Sequence, residues 1–125
     1  MNLNALFFTF FLFSEHHTPK LHQFLKPGTK FTLEELFKIH ESLKDFHDLV
    51  QNFQKDADVK DSQSLLDLTE FVLNKNVKLM GQIFALMLKA KANQEKVVEL
   101  SKSDLDTLQK YLISPKEMYI QIIKN

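Results

Sequence analysis

The side chains best able to bind a metal or move a proton are five histidines. His16, His17 and His22 fall close together, with Glu15 beside them. Imidazole and carboxylate in one place suit zinc, nickel or copper. Adjacent histidines on a loop are common without any ligand, so this cluster is not taken as a metal site. His40 and His47 are seven residues apart, which puts them on one helix face but about 10 Å from each other along the axis. That is too far to chelate one ion, and the pair reads as flanking an apolar stripe. A di-iron bundle would require Glu-x-x-His on paired helices, and neither His40 nor His47 has an acid three residues earlier. HExxH is absent. Asp56 with Asp58, and Asp104 with Asp106, have no calcium-loop spacing around them and read as solvated loop and capping residues.

Other chemistries fare no better. The two glycines lie 53 residues apart, so no glycine-rich phosphate loop exists. Cysteine is absent, which removes thiol catalysis and disulfides and fits a reducing, cytoplasmic setting. Serine and histidine are both present, but nothing marks a nucleophile elbow. No catalytic residue, metal or cofactor is expected, and the chain reads as a non-enzyme.

All sixteen basic residues are lysine, against sixteen acids. Arginine is the usual fork for phosphate and the usual reader of guanine edges. A neutral chain without it is not expected to bind nucleic acid. The charge is nevertheless uneven. Residues 32–70 carry four lysines and ten acids, whereas residues 71–96 carry five lysines and one acid. Either the two segments face each other or simply solvate their own surfaces, or the surface is dipolar and steers a charged partner.

The elements that would position these groups read as helices. Two glycines and three prolines in 125 residues are too few turn residues for an all-β domain, and an apolar share of 44% argues against disorder. Residues 3–13 are uncharged and contain five phenylalanines. Eleven residues cannot span a bilayer, which takes about twenty. The segment matches a signal-peptide core in length, yet no lysine or arginine precedes it and no A-x-A-like site follows. It is expected to be a helix, apolar nearly all round and therefore buried. An association surface is the second reading and a membrane-touching or targeting segment the third.

Further along, Thr18-Pro19 opens a short helix that should end near Leu25, before Pro27-Gly28. Thr32 and Glu35 form a capping box. Leu36, Ile39, Leu43, Phe46, Val50 and Phe53 then follow a heptad stripe to about Gln54, widened by Leu33, Phe37 and Leu49. Residues 55–61 are a charged connection. From Ser62 to about Asn93 run two adjacent stripes, one of Leu65, Leu68, Val72, Leu79, Ile83, Leu86 and Ala90, the other of Leu66, Leu73, Val77, Met80, Phe84 and Met87. Asn74 and Asn76 threaten to split this helix in two. Gly81, with Ala85 one turn on, suggests close approach of a neighbour. Ser101 or Ser103 caps the next helix, and Ser114-Pro115 with Glu117 opens a last one.

The fold expected is all-α: one domain over residues 1–125, a compact bundle of four to six mostly antiparallel helices around a Phe-rich buried N-terminal helix. The function expected is that of a helical protein-interaction module, such as a regulator, adaptor, chaperone, immunity-type inhibitor or virus-encoded host-binding protein. Its binding face is assigned to Phe7, Phe8, Phe10, Phe11, Met80, Phe84 and Met87, since Met- and Phe-rich faces suit adaptable binding. The partner is another protein or a second copy of the chain, with no membrane span. The alternative is a carrier or sensor of a small apolar ligand, a fatty acid or haem, in a Phe-lined cavity.

Overall fold

The computed structural model describes residues 26–112. Strand β1 (Lys30–Thr32) leads directly into helix α1 (Leu33–Gln54). A one-turn helix α2 (Ala57–Lys60) connects to the long helix α3 (Gln63–Ala92), followed by strand β2 (Val97–Glu99) and helix α4 (Lys102–Tyr111). The described chain is thus mostly helical. The expected helices at residues 3–13 and 19–25, and the one opening at Ser114-Pro115, lie outside the described residues.

Each helix begins where its capping residue dictates. Thr32 Oγ1 accepts from the Glu35 N–H while Glu35 Oε1 accepts from the Thr32 N–H, closing both halves of the box at α1. Ser62 caps α3, and Ser101 with Asp104 forms a second box at α4. The charged connection contains a turn of helix that hydrophobic spacing alone does not reveal. Asp56 caps it by accepting from the Asp58 N–H, and it seats Val59 in the core.

Helix α3 is unbroken through Asn74 and Asn76. Asn74 points to solvent, while the Asn76 amide donates to the Leu43 carbonyl on α1 at 2.9 Å. Satisfied in this way, a polar residue need not end a helix. Helices α1 and α3 run antiparallel, since Gln54 at the end of α1 bonds Thr69 and Glu70 near the start of α3, and His40 meets Phe84 near its end. The first expected stripe of α3, Leu65 to Ala90, is buried at every position. The core falls into two clusters: one holds Leu36, Leu43, Leu79, Ile83 and Leu86 beneath the strands and α4, and the other holds Phe46, Val50, Leu68 and Val72 under α2.

The strands depart from the all-α expectation. They pair antiparallel with Phe31 opposite Val98, and both of those side chains are buried. At Lys26-Pro27-Gly28-Thr29 the Thr29 N–H closes a turn onto the Lys26 carbonyl, and Gly28 takes φ 88°, the conformation a proline–glycine turn asks of its third residue. Backbone bonds Gly28 N–H to Leu100 and Leu100 N–H to Thr29 extend the pairing past the strand ends. The Leu33 N–H, left free at the start of α1, donates to the Lys96 carbonyl at 2.9 Å. The little sheet therefore clamps the beginning of α1 to the segment leaving α3.

Candidate functional site

That clamp builds a groove. Where the N-terminal turn of α1 passes the C-terminal turns of α3, a volume of about 840 Å³ opens between Leu33, Glu34 and Phe37 on one side and Phe84, Met87, Leu88 and Lys91 on the other. Thr32, Glu95 and Lys96 close its end. Phe37, Phe84 and Leu88 are 50%, 52% and 55% exposed, which is unusual for three large apolar side chains around one depression. Met87 is half-buried and packs against the core. The His40 ring stands 6.4 Å from the Phe84 ring and tilted to it, supporting the phenylalanine from the α1 side.

The rim is polar and carries both signs. Glu34 pairs with Lys38 at 3.4 Å along the outer face of α1, and Lys91, Glu95 and Lys96 supply the rest. Among the described residues the only hydroxyl in the lining, that of Thr32, is used as the α1 cap. Among the described residues no nucleophile–base pair faces the groove, and no three of His, Asp and Glu gather as a metal site would require. Such a lining offers apolar contact with a charged edge.

The expected site residues divide three ways. Phe84 and Met87 come together in the groove. Met80 sits one turn earlier on α3, half-buried against the core, with its sulfur 3.6 Å from the Asn76 amide. It does not line the groove. Phe7, Phe8, Phe10 and Phe11 lie outside the described residues, as do Glu15, His16, His17 and His22. His40 and His47 both flank the α1 stripe half-buried, and the buried Nδ1 of His47 has no hydrogen-bond partner.

Phe37 and Leu88 belong to the groove and are missed by the stripes. Phe37 is read as widening the buried face of α1, but it lies at the edge that turns to solvent. Leu88 fits neither α3 stripe. It does stand four residues after Phe84, which itself follows Gly81 and Val77, and this third row is the signal that marks an exposed ridge.

Asp104 also differs from its expectation as a solvated cap residue. It is buried, and it accepts from the Ser101 N–H and from the Lys89 ammonium, each at 3.2 Å. Burial works against its charge, but the Ser101 N–H, the Lys89 ammonium and the Ser101 hydroxyl together outweigh it. The carboxyl is held below its ordinary value.

Among the described residues no helix is long and apolar enough to cross a membrane. No known protein family matches the chain, and neither a curated protein nor a solved structure is significantly similar to it.

Proposed function

We propose that this chain is a non-enzymatic helical interaction module, and that the groove between the start of α1 and the end of α3 receives an amphipathic helix of a partner protein. The observation that carries this reading is the half-exposure of Phe37, Phe84 and Leu88 around one depression. Covering the exposed part of each removes on the order of 100 Å² of apolar surface, or about 2.5 kcal/mol apiece. The gross gain is then about 7.5 kcal/mol, of the same order as the 4–15 kcal/mol lost on association. The partner must therefore bring apolar anchors of its own, at the i, i+4 and i+7 spacing of a helix laid in a groove. The rim of both signs favours a helix with acidic and basic flanks over a uniformly charged one. Absence of cysteine favours a cytoplasmic setting.

The test is selection of displayed helical peptides against the full chain, counter-screened on Phe37→Lys/Phe84→Lys. Both positions are half in water, so the variant should keep its circular dichroism and unfold within about 1 kcal/mol of the parent. Amphipathic peptides that bind the parent and lose at least tenfold on the variant support the reading. Peptides indifferent to the substitution would sink it. Light scattering on the same two proteins covers self-association: a parent dimer that the variant dissolves makes the partner a second copy.

A second reading rests on the size of the same groove. About 840 Å³ falls within the range of small-molecule pockets, so an apolar ligand such as a fatty acid is the rival occupant. Native mass spectrometry of the purified chain decides between them, because a retained ligand mass favours the carrier and its repeated absence favours the module.

A further inference from the structure

The groove asks its occupant for apolar anchors at i, i+4 and i+7, and the chain itself carries such a set. Residues 3–13, which lie outside the described residues, hold Leu3, Phe7 and Phe10 at that spacing. Leu6, Phe10 and Phe13 repeat it in an adjoining row. The segment has no charge of its own, while Glu15, His16 and His17 follow it and can meet a rim that bears both signs. As a helix, eleven residues measure about 16 Å. The α3 wall of the groove, Phe84 to Lys91, rises about 10 Å, so the segment covers it with a turn to spare.

The described chain begins beside this groove. Lys26 opens the turn into β1, and Thr32 at the end of that strand already lines the groove. The six steps between them span at most about 20 Å. Residues 14–25 add a tether of roughly 40 Å when extended, or about 25 Å with Pro19 to Leu25 helical as their start signal predicts. Either length lets residue 13 return to Phe37 and Leu88. A tether this short holds the segment near its seat at an effective concentration in the millimolar range. The opposite end of the described chain is worse placed. Helix α4 is fastened to α3 through Lys75 and Lys89, and neither lysine lines the groove.

We propose that residues 3–13 of this chain seat in the groove against Phe37, Phe84 and Leu88, and that a partner's helix enters by displacing them. The inference rests on reading the groove as a helix seat, and adds a built-in competitor to it. Seated, the segment keeps five phenylalanines from water and covers the exposed apolar patch of the groove at once. A partner then binds more weakly in proportion to the fraction of chains whose groove is free. Its arrival releases an apolar segment, so that filling the groove changes the surface elsewhere on the molecule.

The chain has no cysteine, so chosen pairs can be introduced into it cleanly. Leu88→Cys, at a half-exposed position, is combined in turn with Phe7→Cys, Phe10→Cys and Phe11→Cys in the full chain. A disulfide closes only where two α-carbons come within about 7 Å. Under mild oxidation at least one pair should close within the chain, roughly tenfold faster than the same cysteine paired with Lys60→Cys. Lys60 is exposed on α2, past the end of α1 farther from the groove. Equal rates with Leu88→Cys and Lys60→Cys overturn the proposal. So do bonds that form only between chains, which make a second copy the occupant. A second measurement reads displacement. Peptides selected on the groove should bind Phe7→Asp/Phe10→Asp roughly tenfold tighter than the parent, because an empty seat needs no displacement. Peptides that bind both alike overturn the built-in competitor and leave the groove reading standing. Failure to find any groove-dependent peptide sinks the groove reading instead, and the disulfide rates still decide where residues 3–13 sit.

Discussion

The Asn76 side-chain amide donates to the Leu43 backbone carbonyl at 2.9 Å, joining the middle of α3 to the middle of α1 at the boundary between the two apolar clusters. Leu43 and Leu79 belong to one cluster, Phe46 and Leu73 to the other. A buried polar pair at that position fixes how the two helices slide past each other, which uniform leucine would leave free. Asn76→Ala should cost about 1–3 kcal/mol in urea unfolding. Asn76→Asp should cost more at pH 7, on the order of 3 kcal/mol, because two acceptors then face each other. Part of that loss should return as the pH falls, since a protonated carboxyl can donate to Leu43. An Asp variant with the same deficit at both pH values would mean that this bond does not hold the pair.

Gly81 is exposed, and a β-carbon placed on it meets no atom of the described residues within 4 Å. Among the described residues no neighbouring helix makes the close approach that the sequence suggests for this glycine. What remains is its cost in a helix interior. Gly81→Ala should stabilise the chain by about 1 kcal/mol, seen as a higher urea midpoint at unchanged slope. A lowered midpoint would show that the space above Gly81 is filled in solution.

Much of the fold was legible because helices announce both their starts and their faces. The Thr32–Glu35 box, the end of α1 at Gln54 and the buried row from Leu65 to Ala90 all follow from residue type and a period near 3.6. The strands were hidden because three residues cannot display a period of two, and Val97-Val98 only becomes a strand once Phe31 lies opposite. Asn76 was misread for a similar reason: its partner is 33 residues away, and no local rule supplies it. The groove was half legible. Phe84 and Met87 were singled out, but Phe37 and Leu88 depend on which edge of each stripe the clamp leaves in water.

Asp104 gives a pH dependence whose sign can be worked out. Its folded pKa lies below the ordinary carboxylate value, despite burial, through the Ser101 N–H, the Lys89 ammonium and the Ser101 hydroxyl. A lowered pKa means stability that is complete above the unfolded value and is lost as the pH falls through the folded one, that is, below about pH 4. Asp104→Asn keeps an acceptor for the Ser101 N–H but gives up the charge. It should unfold about 0.5–2 kcal/mol more easily at pH 7, the range of helix caps. The gap to the parent should narrow below about pH 4. Lys89 is largely in water, so Lys89→Met should cost well under half as much. A gap that stays constant from pH 7 to pH 3 would show that the charge contributes nothing.

Lys96 is the one non-glycine described residue with positive φ, at 55°. It earns that conformation by position. Asn93 Oδ1 accepts from the Glu95 N–H and the Asn93 carbonyl from the Lys96 N–H, so the chain leaving α3 turns sharply before β2. The Lys96 carbonyl is thereby aimed at the Leu33 N–H, the bond that clamps α1. A left-handed backbone costs an L-residue roughly 1 kcal/mol, and glycine is spared it. Lys96→Gly should therefore stabilise by up to about 1 kcal/mol, less whatever the looser unfolded chain takes back. Lys96→Val, whose branched β-carbon resists this region, should destabilise by about 1–2 kcal/mol and loosen the clamp first. Hydrogen exchange locates the effect. In the valine variant the Leu33 and Leu100 amides should lose protection before those in the middle of α3. Equal loss throughout would mean that the clamp and the helices unfold as one unit.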